Sequence, residues 1–149
     1  LLFDAAGNES KAFHVHDGQG LVLLRLAGIV VALVTARSSR VVTQRAAELG
    51  IAAHLGVRDK HACVEGICRQ LNLDWAAVAC FGDDLPDLPV MRVAGLAGAP
   101  ADAHPDTARH AHWRSTRPGG HGAAREFCDL LLAAQGHDAE ALLAAARRA

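Results

Sequence analysis

The run Val78-Ala79-Cys80-Phe81-Gly82-Asp83-Asp84-Leu85-Pro86-Asp87 decides the fold. Four apolar residues, enough for a strand, pass without a break into a glycine and three carboxylates within five positions. Continuous rather than alternating apolarity predicts a strand buried on both faces, as in parallel sheets covered by helices. Ligands of such sheets sit beyond the carboxyl ends of the strands, so the carboxylates stand where chemistry is expected. Adjacent carboxylates repel one another, and oxygen-ligated Mg2+ is the natural partner for the cluster. Helix capping by Asp83 or Asp84 is the plain alternative.

Working outward, the same grammar recurs upstream. An apolar strand over 29–34 ends in Thr35-Ala36-Arg37, a hydroxyl and a guanidinium suited to an anionic group. Ser38 or Ser39 then caps a helix over Arg40–Leu49 that stops at Gly50. A weaker strand over 52–55 leads into a helix over 59–71, with Asp59 as its cap and Lys60 at its start, a candidate cation for a phosphate. Downstream of the carboxylates the sequence predicts a helix over 85–93, a strand at Leu96–Ala99 and an edge strand over 112–115. This alternation predicts an α/β fold, a doubly wound Rossmann-like parallel sheet. Residues 1–3 and 11–15 flank a turn-rich stretch and read as a β-hairpin extension over about 1–15. His14 and His16 then share one strand face. Pro118-Gly119-Gly120-His121-Gly122 feeds a helix at Ala123–Ala134 that ends at Gly136, and the Ala-rich end of a tail over about 117–149 offers little to bury. Residues 1–149 read as a single domain, without internal repeats.

Composition narrows the function classes. The chain has 149 residues, 15 Lys+Arg against 16 Asp+Glu and a net charge of -1, so no basic stripe points to nucleic acid. Its longest mainly apolar run, residues 21–35, is interrupted by Arg25 and falls short of the ~20 residues of a membrane span. Cys63, Cys68, Cys80 and Cys128 match no CxxC spacing and read as small hydrophobes in a reducing, cytoplasmic setting. No GxSxG elbow and no P-loop is present, and Gly18-Gln19-Gly20 is too short for a dinucleotide fingerprint. His110 and His112 repeat the spacing of His14 and His16, and neither pair has a third metal ligand nearby in sequence.

Thr35 after one strand, Lys60 after the next and Gly82-Asp83-Asp84-x-x-Asp87 after a third follow the motif order of haloacid dehalogenase-like phosphohydrolases. More narrowly, Lys11-Ala12-Phe13-His14-Val15-His16-Asp17-Gly18, Thr35-Ala36-Arg37, the run from Gly82 to Met91, Ala101-Asp102-Ala103-His104-Pro105 and Gly119-Gly120-His121-Gly122-Ala123-Ala124-Arg125-Glu126 resemble the 3-deoxy-D-manno-octulosonate 8-phosphate phosphatases. The resemblance extends to about Gly136. It implies a capless Mg2+-dependent phosphatase in which Asp83 ligates the metal, Thr35 binds the transferring phosphoryl group and Lys60 neutralises its charge. His14, Val15, His16, Asp17, Gly18, Arg37, Arg45, Lys60 and Asp84 would line the pocket of a sugar-acid phosphate. It further implies a cytoplasmic homotetramer serving lipopolysaccharide synthesis, in which the hairpin and the glycine-rich tail, Gly119 to Gly122 here, close neighbouring sites.

The sequence departs from that pattern where the family carries DxDG, whose first Asp attacks phosphorus and whose second is general acid and base. Residues 1–7 mimic the motif, with Ala6 in place of the second Asp, but Asp4 lies too close to Lys11 and reads as a hairpin residue. The expectation is that the nucleophile lies upstream of Leu1, and that a sheet without that strand leaves both neighbouring edges open. Ala36 stands where the family usually has Gly, and His16 and Val22 where it often has Arg. A phosphatase of a related nonulosonic acid phosphate is the alternative within this chemistry. Outside it stand a non-catalytic oligomeric binding module and a two-His metal protein built on His14 and His16.

Overall fold

The computed structural model describes residues 2–148. The hairpin pairs β1 (Leu2–Phe3) antiparallel to β2 (Glu9–Ser10), and Leu1, counted in its first strand, lies outside the described residues. Asp4 makes the turn: its carboxylate accepts the Ala6 and Asn8 N–H groups and the Asn8 side chain. The second strand ends at Ser10 instead of running over 11–15, because Val15 opens α1 (Val15–Leu26). The sequence hides this helix behind Gly18 and Gly20, each costing a helix about 1 kcal/mol relative to Ala. Packing explains them. A Cβ on Gly20 would come within 3.0 Å of Cys128, and one on Gly18 would strike the Arg45 guanidinium.

Beyond α1 the chain alternates as read: β3 (Ala32–Val34), α2 (Arg40–Leu49), β4 (Ala52–His54), α3 (Lys60–Leu71), β5 (Ala79–Phe81), α4 (Leu88–Met91), β6 (Leu96–Ala99), α5 (Pro105–His110), β7 (Trp113–Arg114), α6 (Ala123–Ala134) and α7 (Ala139–Ala146). Local chemistry sets the ends. Ser39 Oγ accepts the Val42 N–H at the start of α2, Asp59 caps α3 through the Ala62 N–H, and Gly50 leaves α2 at φ 66°. The helix read over 85–93 divides into a 3-10 turn, Leu85–Asp87, and the short α4, with a proline near the start of each. The end of the tail is not idle. In α7, Leu142 and Leu143 pack on the cluster of Leu23, Leu24, Cys128 and Leu132 that joins α1 to α6.

All pairing outside the hairpin is parallel, but the strands fall into two sheets. In one, β3 pairs β4 with Ala32 opposite Ala52; in the other, β6 lies between β5 and β7. Among the described residues no ladder joins the two, so β3 and β5 each keep an unpaired edge. The expected burial on both faces therefore fails for these strands: β3 is half-buried along its length and β5 is exposed at Ala79. Among the described residues only β6 has neighbours on both sides, and there Ala97 and Ala99 are fully buried beside Met91. Phe127 of α6 packs over this sheet against Phe81 and Trp113, ring centroids 5.1 and 5.6 Å away. Gly98 must lack a side chain, since a Cβ would lie 2.6 Å from Phe127. No helix of the described residues is long and apolar enough to cross a membrane.

Candidate active site

The carboxyl ends of the two sheets meet at one ion pair. Lys60, the first residue of α3, extends its Nζ to 2.5 Å from Asp87 Oδ1 in the turn after β5, and both side chains are largely shielded. The other oxygen of Asp87 accepts the N–H groups of Asp83 and Asp84 at 3.0 and 3.2 Å, so this one carboxylate shapes the acidic loop and holds the lysine. Gly82 makes room: its Cβ would lie 2.5 Å from that of Asp87.

The three carboxylates therefore differ in role. Asp84 is the cap, accepting the Leu85 N–H at 2.8 Å. Asp87, the third carboxylate of the run and given no role of its own by the sequence, neutralises the lysine. Asp83 carries no ion pair among the described residues. It is exposed as a residue, yet partial desolvation of its carboxyl raises its pKa above the ordinary carboxylate value, with the charges of Asp87 and Asp84 adding to the effect and Lys60 opposing it. An unmet negative charge at a strand end is what a hard cation relieves. Among the described residues no three His, Cys, Asp or Glu side chains converge. A single carboxylate suits Mg2+, which keeps several waters and is completed by substrate phosphate oxygens.

Thr35 follows β3, and its N–H extends the ladder to the His54 carbonyl. Its Oγ1 accepts the Arg37 N–H at 3.2 Å, which leaves the hydroxyl proton free to donate to an anion. The Thr35 carbonyl accepts the Val57 N–H, tying this turn to the loop that delivers Lys60. Arg37 is exposed. Arg45 reaches from α2 toward the start of α1, its guanidinium 5.8 Å from the Phe13 ring centroid, with one nitrogen on Glu48.

His14 and His16 do not alternate on a strand. His14 is the N-cap of α1 and His16 lies in its first turn, which still brings the rings to 5.1 Å edge-on. The buried Nδ1 of His14 has no partner among the described residues. Val15 is 75% exposed, and Gly18 is buried under Arg45. His110 Nδ1 lies 2.8 Å from the Asp106 carbonyl and His112 Nδ1 accepts the Ala97 N–H, and among the described residues neither belongs to a group of three side chains that could hold a metal.

Asp17 faces the other way. Its two oxygens accept the N–H groups of Gly122 and Arg125, at the start of α6. Gly119 to Gly122 are accordingly fastened to their own chain ahead of a packed helix, and do not form a free tail. Burial holds the Cys80 and Cys128 thiols up at about 12, with the charge of Asp87 adding to the first and that of Asp129 to the second.

No family model matches the chain. It is 44% identical over 131 residues to the 3-deoxy-D-manno-octulosonate 8-phosphate phosphatase of Yersinia pestis, covering 87% of this chain and 70% of that protein. Among solved structures, a hypothetical protein from Xanthomonas campestris is 49% identical with a TM-score of 0.93, covering 97% of this chain and 79% of that one. The 3-deoxy-D-manno-octulosonate 8-phosphate phosphatase from Moraxella catarrhalis, solved with magnesium, phosphate and KDO, is 39% identical with a TM-score of 0.91, covering 97% and 83%.

Proposed function

This chain belongs to the 3-deoxy-D-manno-octulosonate 8-phosphate phosphatase family of the haloacid dehalogenase-like superfamily, and from that premise we propose a Mg2+-dependent phosphomonoesterase that hydrolyses 3-deoxy-D-manno-octulosonate 8-phosphate to the free sugar acid and inorganic phosphate. The observation that carries the reading is the junction of Lys60, Asp87 and Asp83, which gathers a fixed cation and an unpaired carboxylate at the strand ends.

In this reading Asp83 holds Mg2+, which when bound offsets charge on the phosphoryl oxygens. Lys60, oriented by Asp87, neutralises a further phosphoryl oxygen as charge develops in the transition state. Thr35 donates its free hydroxyl proton to the same group. Arg37 and Arg45, with His14, Val15, His16, Gly18 and Asp84, receive the sugar acid, whose carboxylate suits a guanidinium. No Asp-x-Asp-Gly sequence occurs in the 149 residues, so these side chains account for binding and charge and not for attack on phosphorus.

The product assigns the reaction to lipopolysaccharide precursor synthesis, and four free thiols accord with a reducing cytoplasm. We further propose a homotetramer; the apolar side chains that the hairpin side offers to solvent, Leu2, Phe3, Phe13 and Val15, support an interface there, and light scattering on the purified protein reads its size directly. The substrate is tested by phosphate release with Mg2+ from the eight-carbon sugar-acid phosphate, a nine-carbon nonulosonic acid phosphate and an aryl phosphate. The eight-carbon compound is expected to lead in kcat/KM by about tenfold or more. Equal turnover of all three overturns the assignment, and a lead for the nine-carbon compound moves it to the related sugar.

A further inference from the structure

We infer that Asp17 is a positioning residue, a clamp that fastens the glycine-rich loop to the substrate-facing end of α1, and not a ligand of the sugar acid; only its kinetic consequence rests on the phosphatase reading.

Helix α6 opens at Gly122, at φ 101°, with no side chain of its own to cap the first turn. The unpaired N–H groups there need an acceptor from elsewhere. Asp17 supplies both of its oxygens, Oδ2 to the Gly122 N–H at 3.2 Å and Oδ1 to the Arg125 N–H at 2.9 Å. Its negative charge also sits at the positive end of a twelve-residue helix. The close approach is built in, since Gly20, almost one turn along α1, admits Cys128 and Arg125.

The other end of the loop is fastened in the same manner. Asp102 Oδ1 accepts the Gly119 N–H at 2.7 Å, and the Ala101 N–H donates to the Arg117 carbonyl at 2.9 Å. Two residues on, the His104 N–H donates to the Asp83 carbonyl. Three hydrogen bonds joined by the short backbone segments 102–104 and 119–122 thus link Asp83 to Asp17, which is flanked by His14 and His16. A carboxylate engaged on both oxygens holds this rim in place while its neighbours remain free to meet substrate.

The test combines hydrogen exchange and steady-state kinetics on the full chain and its variants D17A and D17N. In D17A, amide exchange over residues 119–125 is expected to quicken about tenfold. KM for the sugar-acid phosphate should rise about tenfold while kcat stays within about twofold. D17N, whose amide oxygen still accepts from Arg125, should show a smaller change in the same amides, and it decides the matter if D17A does not fold. A raised KM with unchanged exchange over 119–125 overturns the proposal and makes Asp17 a ligand. Unchanged exchange in both variants overturns it as well. If the wild-type chain turns over no sugar-acid phosphate, the phosphatase reading fails, and the exchange data still decide the clamp.

Discussion

The β3–β4 pair and the β5–β6–β7 sheet are built by the same parallel logic and buried to very different depths. Ala97 and Ala99 of β6 are fully enclosed, whereas β3 is half-buried at each of its three positions. The difference follows pairing more than composition: β6 has a neighbour on either side, and β3 has one. The two halves also divide the chemistry. The β3 side offers a hydroxyl and guanidinium groups, the β5 side offers carboxylates, and Lys60 crosses from one to the other to meet Asp87.

The largest expected effect tests that division. Asp83→Asn should lower Mg2+-dependent phosphate release about a thousandfold, the scale of removing metal charge stabilisation. Tm should hold or rise slightly, because burial disfavours the ionised Asp83 that the substitution removes. Unchanged turnover would remove the metal from the β5 side.

Asp87→Ala cuts the tie between the halves. It leaves Lys60 shielded without a partner and frees two loop N–H groups, which should cost about 3 kcal/mol of stability in a denaturant melt. Turnover should fall about a hundredfold through misplacement of Lys60. A variant that melts as wild type would mean that the junction does not couple the sheets.

Depth itself is tested by one pair of substitutions. Ala97→Val adds methyl groups to a closed interior and should cost about 1–3 kcal/mol. Ala32→Val, on half-buried β3, should stay within about 0.5 kcal/mol. Equal costs would show that β3 is as enclosed as β6.

The smallest effect is in acid. Hydrogen bonds from Ser115 and Thr116 hold Glu126 down to about 2, against an ordinary 4.5. A depressed carboxylate contributes stability that is fully present above its unfolded value and is lost as pH falls through its folded one. Glu126→Gln should therefore flatten the fall in Tm between pH 4.5 and about 2, with the remaining loss set by other carboxylates. Parallel curves for the two proteins would remove this latch from the acid response.

Where local chemistry decides, the sequence is legible. Helices α2 and α6 have the read limits, and α3 starts after its read cap, because serine, aspartate and glycine mark their ends. Helix α1 is not legible, since its glycines serve contacts with α6 and Arg45 that only the fold creates. The same holds for the site. Thr35, Lys60 and Asp83 stand out as polar groups after apolar runs, but three clustered carboxylates cannot reveal which one meets the lysine. One signal was available: adjacent charges repel, so one of them must find a cation, and Lys60 is the cation at the neighbouring strand end. For Asp17 the only hint was a helix opening on glycine without a cap of its own.

The desolvated thiols of Cys80 and Cys128 have a practical corollary. Burial, with the charge of Asp87 adding to it, pushes the Cys80 thiol up to about 12 and leaves very little of it as thiolate at pH 7. The sulfur one residue before Phe81, in the strand that leads to Asp83, is thus a poor target for alkylating agents and peroxide, and so is the buried Cys128, packed with Leu23, Leu24 and Leu132. An electrophile aimed at the junction of Lys60 and Asp83 would meet an amine and carboxylates there, with the Cys80 thiol offering it little thiolate.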